Sequence, residues 1–578
     1  MKKAICVLLT LMLMLSGVAL AESTFTPGTY EAETQGFGGP ISVTVTVTDT
    51  EITDVVIVGD KETPSLGSVA VDTLGAKIVA AQTPNVDAVA GATVSSKAII
   101  AAVTETLEAA GADIAALDAN RKDAAEVEKT DRTIDVDVAI LGAGGAGMTA
   151  AIMLKQAGLH VVVLEKMPYV GGNTTKATGG MNAAETHYQA EAGIEDSIEQ
   201  FAQDTMEGGH NINDPVLVQT MAEHSAEAID WLDEINAPLP KVSFSGGATN
   251  ARIHSPEDGS GVGEYLVEAF NKTLDEMDID VMLNTTATEL FMEDGAVVGV
   301  WAENDTENLT INARAVILAT GGFGANEKMY TMFRPDLLGT VTTNAPGATG
   351  DGIIMALAAG AELVDIEQIQ LHPTVEQNTS ILITEGVRGD GAILVNQSGE
   401  RFINEMETRD VVSAAELEQE GCYAYVIFDQ NLRDGLKATE KYVSNGLTVQ
   451  ADTIEELAEK LNIDPDTLAK TLADWNAAVA AGKDEAFGRE TGMEHDLSVA
   501  PYYAIQIAPG IHHTMGGVKI DEHAQVISTK GEVIPGLFAA GEVTGGVHGG
   551  NRIGGNAVAD IVVFGRIAAE SAIAYIAK

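Results

Sequence analysis

A chain of 578 residues with 45% hydrophobic content has room for several domains, and its 85 acidic against 33 basic residues give a formal net charge of −52. Such a surface repels nucleic acid and anionic membranes, so no nucleic-acid partner is expected, and an anionic ligand needs a locally positive pocket. Its two cysteines, Cys6 and Cys422, exclude a disulfide framework, a cysteine zinc site and a c-type haem attachment motif.

Residues 1–21 read as an export signal. Lys2 and Lys3 precede the apolar run AICVLLTLMLML, and Ala19-Leu20-Ala21 fits a small-residue cleavage site. A retained anchor is the alternative. The expected location is periplasmic, extracellular or at the cell envelope. Val43, Val45 and Val47 then alternate with Thr44, Thr46 and Thr48, which predicts a half-buried antiparallel strand followed by a turn and a second strand. The stretch NVDAVAGATVSSKAII (85–100) opens a helix reaching about Ala110, with Thr93, Ser95 or Ser96 as candidate N-cap. Residues 22–115 are thus predicted to form a small α+β module, and the charged, Ala-rich 116–132 a linker.

A second domain begins with IDVDVAILGAGGAGMTAAIMLKQAGLHVVVLE. Gly142, Gly144 and Gly147 form G-x-G-x-x-G between a buried strand and a helix, and the next strand ends in Glu165. An acid about 20 residues past the glycines suits a ribose hydroxyl, and the glycines let the backbone approach a pyrophosphate at the helix N-terminus. AVILATGGFGAN (315–326) and GLFAAGEVTGGVHGGNRIGGNAVADIVVFGRIAAESA (536–572) are further strands running into Gly-rich loops. They argue for FAD rather than NAD, and for a Rossmann half completed by the C-terminus. The predicted parts are 133–365 and 512–578 for the FAD-binding domain, with 366–511 as an inserted cap that carries the substrate site.

Six motifs carry a resemblance: GGNTTKATGGMNA (171–183), IQLHPT (369–374), LITEGVRGDGAILVN (382–396), RFINEMETRD (401–410), IHHTMGGV (511–518) and AAGEVTGGVHGGNRIGGNA (539–557). On them the chain resembles the flavocytochrome c family of soluble fumarate and urocanate reductases from about residue 135 to 578. The first module resembles an FMN-binding domain whose flavin is joined through its phosphate to a threonine. The carrying motif is an Asp followed by a small residue and Gly-Ala-Thr, here Asp87 and Ala90-Gly91-Ala92-Thr93; many relatives have Ser or Thr where Ala90 stands. The resemblance implies an α/β FAD-binding Rossmann-like domain with an inserted α+β cap domain, preceded by a small α+β FMN-binding domain. It also implies noncovalent FAD and covalent FMN on Thr93, with Ser95 or Ser96 as alternatives. An exported flavin transferase would load the FMN. A membrane-associated or diffusible donor would supply electrons, which pass from FMN to FAD and then as hydride to the C=C bond of fumarate.

Reducing such a bond needs a hydride donor, groups that hold the carboxylates and developing charge, and an acid for the other carbon. By the resemblance, Arg552 and His512 hold one carboxylate and His372 and Thr384 the other, with Gly555 beside them. Arg409 donates the proton, and Glu385 and Arg388 relay its replacement. Free arginine is normally charged throughout the neutral range, so this role relies on proximity to a carbanion and on the like charge of Arg388. A milder alternative keeps Arg409 as an electrostatic clamp and makes a histidine the acid. The implied FAD contacts are Gly142, Gly144, Ala146, Gly147, Glu165, Asn173, Thr174, Gly179, Gly180, Ala287, Asp351, His513, Glu542 and Ala557. A bound sodium ion is implied at Thr514, Met515, Gly516, Glu542 and Thr544, largely through carbonyls. Other expected possibilities are reduction of urocanate, methacrylate or an aryl acrylate, and a flavin electron carrier without catalysis.

Overall fold

The computed structural model describes residues 24–63, 67–89, 91–122, 128–244 and 246–578. The expected export signal, Ala90 and the middle of the expected linker lie outside the described residues. The chain divides into two units, Met1–Glu126 and Val127–Lys578.

The first unit is a three-stranded antiparallel sheet, β1 (Gly28–Gln35), β2 (Pro40–Val47) and β3 (Ile52–Val58), with helices α1 (Gly67–Ala81) and α2 (Thr93–Ala109). The alternation read from β2 is the alternation observed: Ile41, Val43, Val45 and Val47 are buried, and the residues between them are not. On α2, Ile99, Ala102, Val103 and Leu107 recur at helical spacing and are buried. None of the three candidate hydroxyls caps this helix. Ala92 is the N-cap, without a side-chain hydrogen bond, and Thr93 is the first helical residue. The reason is that Ser95 and Ser96 are turned inward to other partners. Helix α1 was not expected from the sequence.

The second unit holds an eight-stranded sheet. Its centre is parallel: β4 (Thr130–Leu141) lies between β5 (Val161–Leu164) and β9 (Glu307–Leu318), with β6 (Asp280–Met282) beyond β5. Strands β7 (Thr286–Glu293) and β8 (Ala296–Glu303) extend one side as an antiparallel hairpin. The C-terminal strand β16 (Val533–Ala539) pairs in parallel with β9 and antiparallel with β15 (Gln525–Ile527), so the end of the chain does complete the nucleotide-binding sheet. Helices α3 (Gly145–Gln156) and α6 (Asn556–Ile576) pack on it. Every residue of Val138–Leu141 and Val161–Leu164 is buried, as parallel strands covered on both faces require.

A second sheet of five strands is antiparallel throughout: β10 (Ile369–Val375), β14 (Tyr502–Thr514), β12 (Ala424–Asp429) and β11 (Ile393–Val395), with β13 (Val449–Ala451) also on β14. Short helix α4 (Glu385–Gly389) and helix α5 (Arg409–Leu417) accompany it. The expected 511/512 boundary falls inside β14. The expected linker meets helix Ile114–Ala119 at one end and β4 at the other. Among the described residues no helix is long and apolar enough to cross a membrane.

Candidate active site

A register shift brings the histidines into place. Gln370 on β10 faces His513 on β14, but Leu371 faces Ile511, so His512 is the extra residue of a β-bulge. The bulge sends two adjacent rings to different neighbours. His512 lies edge-on to His372 with centroids 5.2 Å apart, and His513 lies edge-on to His548 at 5.3 Å. The Thr374 N–H donates to His372 Nδ1 at 3.3 Å, which leaves the proton of the neutral ring on Nε2, 3.8 Å from Glu385 Oε1. His512 Nδ1 lies 2.8 Å from the Thr343 hydroxyl. Burial, reinforced by neighbouring guanidiniums, pushes His372, His512 and His513 well below the usual imidazole range. All three are neutral at pH 7.

Two helix starts bring the charged groups together. Glu385 opens α4, so Arg388 falls three residues on, on the same side, with Nη2 3.7 Å from Glu385 Oε1. Arg409 opens α5; its Nε donates to Glu385 Oε1 at 2.5 Å and its Nη1 to Gln370 Oε1 at 2.9 Å. Gln370 in turn donates to Asn551 Oδ1 at 2.7 Å and to the Arg552 carbonyl at 2.8 Å, tying β10 to the C-terminal loop. Arg388 is buried and donates to the Glu405 carbonyl at 2.6 Å, while Arg489 donates to the Arg388 carbonyl at 2.5 Å. Thr384 caps α4, accepting weakly from Gly386 N–H at 3.4 Å, and lies 3.4 Å from the Thr178 hydroxyl.

Arg552 is the least satisfied of these groups. It is 5% exposed, its Nη1 reaches the Ile553 carbonyl at 3.2 Å, and its Nε has no hydrogen-bond partner among the described residues. Burial, then the like charge of Arg409, brings it down to about 9. Burial pushes the Glu385 carboxyl up, but Arg409, Arg388 and Arg552 outweigh it and hold the group at about 2. Glu385 still turns 36% of its side chain to open space, so it lines the site rather than closing it. Three guanidiniums around one carboxylate make a positive site in a strongly negative chain.

The residues expected to hold FAD form a fitting cradle. Gly142 has φ +102°, and a Cβ there would lie 2.4 Å from the Ala319 carbonyl. A Cβ on Gly147 would lie 2.0 Å from the Gly142 carbonyl, whereas one on Gly144 would meet only Gly171 O at 3.9 Å. The loop is therefore packed behind and open in front. Glu165 follows β5 and accepts from Ala143 N–H at 2.9 Å and Met167 N–H at 2.8 Å. Each of its oxygens keeps a second lone pair. Ala146 lies in the first turn of α3, and Thr174 accepts from Gly145 N–H at 3.0 Å. Asn173 joins three segments: it donates to Asn344 Oδ1 at 2.7 Å and Glu542 Oε2 at 3.0 Å, and accepts from Ala345 N–H at 2.6 Å. Asp351 pairs with Lys166. Gly180 lies tight against the His254 carbonyl, Gly179 is exposed, and Ala287 is half-buried on β7. Gly555, at φ +89°, leads into α6, whose second residue is Ala557.

At the expected ion site, Glu542 accepts from Thr514 N–H at 3.0 Å as well as from Asn173. Met515 N–H donates to the Gln368 carbonyl at 3.0 Å, Thr544 Oγ1 to the Gly541 carbonyl at 2.9 Å, and a Cβ on Gly516 would collide with the Asp365 carbonyl.

Thr93, in the first unit, is exposed on the first turn of α2. Asp87 is exposed as well. Gln370, Thr343, Asn551 and Arg489 were not singled out from sequence. Gln370 and Asn551 sit within quoted motifs, so their position was visible and their role was not.

The FAD binding domain family matches residues 137–558, and the FMN-binding domain family matches 36–108. The chain is a fumarate reductase-like flavoprotein of this FAD-binding family. It is 48% identical to an NADH:fumarate oxidoreductase of Klebsiella pneumoniae (strain 342) over 75% of this chain and 47% of that protein, so it spans about half the length of that relative. It is 46% identical to the fumarate reductase (cytochrome) of Shewanella frigidimarina, over 77% of this chain and 78% of that protein. A solved flavocytochrome c3 fumarate reductase in an open conformation matches with a TM-score of 0.68 and 44% identity, covering 77% of this chain and 79% of that one. The flavoprotein thus joins the FMN-binding and FAD-binding families in one chain.

Proposed function

We propose that this flavoprotein reduces fumarate to succinate, with FMN on Thr93 and noncovalent FAD as its carriers. The observation that carries this is the pairing of Arg409 and Arg388 with Glu385, with the charge of buried Arg552 felt at the same carboxylate and its Nε without a hydrogen-bond partner among the described residues. A buried, unsatisfied guanidinium calls for an anion that the chain does not itself supply.

FAD, when bound, supplies the hydride. Arg552 and His512 take one carboxylate, while His372, through Nε2–H, and the Thr384 hydroxyl take the other. As negative charge develops on the second alkene carbon, the guanidiniums stabilise it. Arg409 is anchored through Nε and Nη1, which leaves Nη2 to face the substrate and give a proton to that carbon. The like charges of Arg388 and Arg552 favour that loss. Glu385, deprived of its nearest cation, becomes basic enough to collect a proton from the Arg388 side and return it to Arg409. The histidines, held neutral, act as donors of hydrogen bonds and not as the acid. An acrylate without a second carboxylate would leave His372 and Thr384 without a partner, which favours the dicarboxylate.

The chain is proposed to work after export, fed by a membrane-associated or diffusible donor and loaded by an exported flavin transferase. A sodium ion would rest largely on backbone carbonyls at Thr514, Met515 and Gly516, with Glu542 and Thr544. The test is oxidation of reduced viologen by the purified protein with fumarate, urocanate and methacrylate in parallel. Fumarate turnover that falls by about 10³-fold in Arg409→Ala supports the assignment. Turnover of urocanate or methacrylate with fumarate inert would reassign the substrate. Silence with all three, both flavins being bound, would overturn fumarate and leave a carrier or a reductase of another enoate such as an aryl acrylate.

A further inference from the structure

Three hydroxyls stand at the start of α2, and the fold spends two of them. Ser96 Oγ accepts from Val89 N–H at 3.0 Å, and Ser95 Oγ donates to Glu62 Oε2 at 2.6 Å. Both serines are buried, and Thr93 is exposed. Glu62 is itself only 6% exposed, and its other oxygen accepts from Gly38 N–H at 3.2 Å. Its surroundings are shaped to it: a Cβ on Gly36 would lie 2.0 Å from Glu62 Oε1, and one on Gly67 2.2 Å from Oε2. One buried carboxylate therefore fastens the turn between β1 and β2 to the first turn of α2, with the start of α1 packed close against it. A charged group of this kind is rarely enclosed unless its hydrogen bonds serve something.

We propose that Glu62 is a positioning residue for flavin attachment. By holding Ser95 and the glycine turn, it fixes the first turn of α2 so that Thr93 alone presents its hydroxyl to a flavin transferase. This rests on the reading of Thr93 as the flavin-bearing residue. In that transfer the anhydride bond of a flavin dinucleotide breaks. Thr93 Oγ bonds to the flavin-side phosphorus, the nucleoside monophosphate leaves, and the hydroxyl proton goes to water. Glu62 takes no part in the bond changes. It sets where the acceptor oxygen stands, and acceptor placement is worth orders of magnitude in rate.

The test loads the full-length protein with FAD and a flavin transferase, and reads covalent flavin by in-gel fluorescence and by peptide mass. Wild type is expected to carry flavin monophosphate on the Thr93 peptide, and Thr93→Ala none. Glu62→Ala is expected to load at least about tenfold more slowly, or to place flavin on the freed Ser95. Glu62→Gln can accept from Gly38 through its carbonyl and donate to Ser95 through its amide, so it should load within about twofold of wild type. Limited proteolysis of the same samples reports folding. Should Glu62→Ala be cleaved, Ser95→Ala decides, since it removes one arm and leaves the Gly38 arm in place; slowed loading supports the proposal. Loading of Glu62→Ala or a decisive Ser95→Ala at the wild-type rate on Thr93 overturns it. A wild type without covalent flavin overturns the Thr93 reading itself, and the proposal with it.

Discussion

Glu416 lies on the same helix as Arg409 and is fully buried, with both carboxyl oxygens lacking a hydrogen-bond partner among the described residues. Burial pushes its carboxyl well above the usual range, against the pull of Arg388. Its folded value is raised, so its contribution to stability is full below the ordinary carboxylate value and is lost as pH rises towards the folded one. Glu416→Leu should therefore stabilise the protein by about 1–3 kcal/mol at neutral pH and flatten that dependence. Unfolding midpoints between pH 5 and 9 check this, with fumarate turnover expected to stay within about twofold. Gln370 is the opposite case, a neutral residue with a functional burden. It holds Arg409 Nη1 and the Arg552 backbone at once, so Gln370→Ala should lower kcat by about 10–100-fold while changing KM less. Steady-state kinetics on fumarate separate the two.

At the scale of elements, the bulge in β14 does what no single residue does. It lets two consecutive positions serve two sites, with His512 towards His372 and His513 towards His548. A regular strand would put one of the two rings on the far face of the sheet. The arrangement carries a cost in acid. His372, His512 and His513 have folded values below the unfolded one, so the unfolded chain binds more protons as pH falls through about 6.5. Stability is present above that pH and lost below it. The unfolding midpoint should fall from pH 7 to pH 5, and the fall should be smaller in His512→Gln, measured on the protein as purified. Much of this level is readable from sequence. The alternation of β2 and the strand–glycine–helix passage at Gly142 were legible because each repeats over a few consecutive residues. The bulge, helix α1 and the inward turn of Ser95 were not, because each is set by a partner on another element.

For the whole molecule, the balance of charge sets an opposite gradient inside and out. The chain is strongly acidic, yet the site gathers Arg388, Arg409 and Arg552. A dianionic substrate approaches against the outer field and is held only at short range. Salt screens the long-range repulsion more than the enclosed contacts. The value of kcat/KM for fumarate should therefore rise severalfold as ionic strength increases from about 10 to 150 mM. A fall over that range would show that the positive site steers the substrate from a distance.

The sequence by itself determined the nucleotide-binding sheet, the return of the C-terminus to it and the alternation of the first unit. These rest on local spacing, which strand and helix geometry convert directly into position, whereas Arg409, Glu385, Arg388 and Arg552 were named only through the motifs that carry the family resemblance. Only the tertiary structure decided that Gln370 ties Arg409 to Arg552, that Glu62 consumes Ser95, and that the Glu416 carboxyl is buried with no hydrogen-bond partner among the described residues. Each of these depends on side chains distant in sequence or on enclosure by the fold, and no pattern along the chain records either.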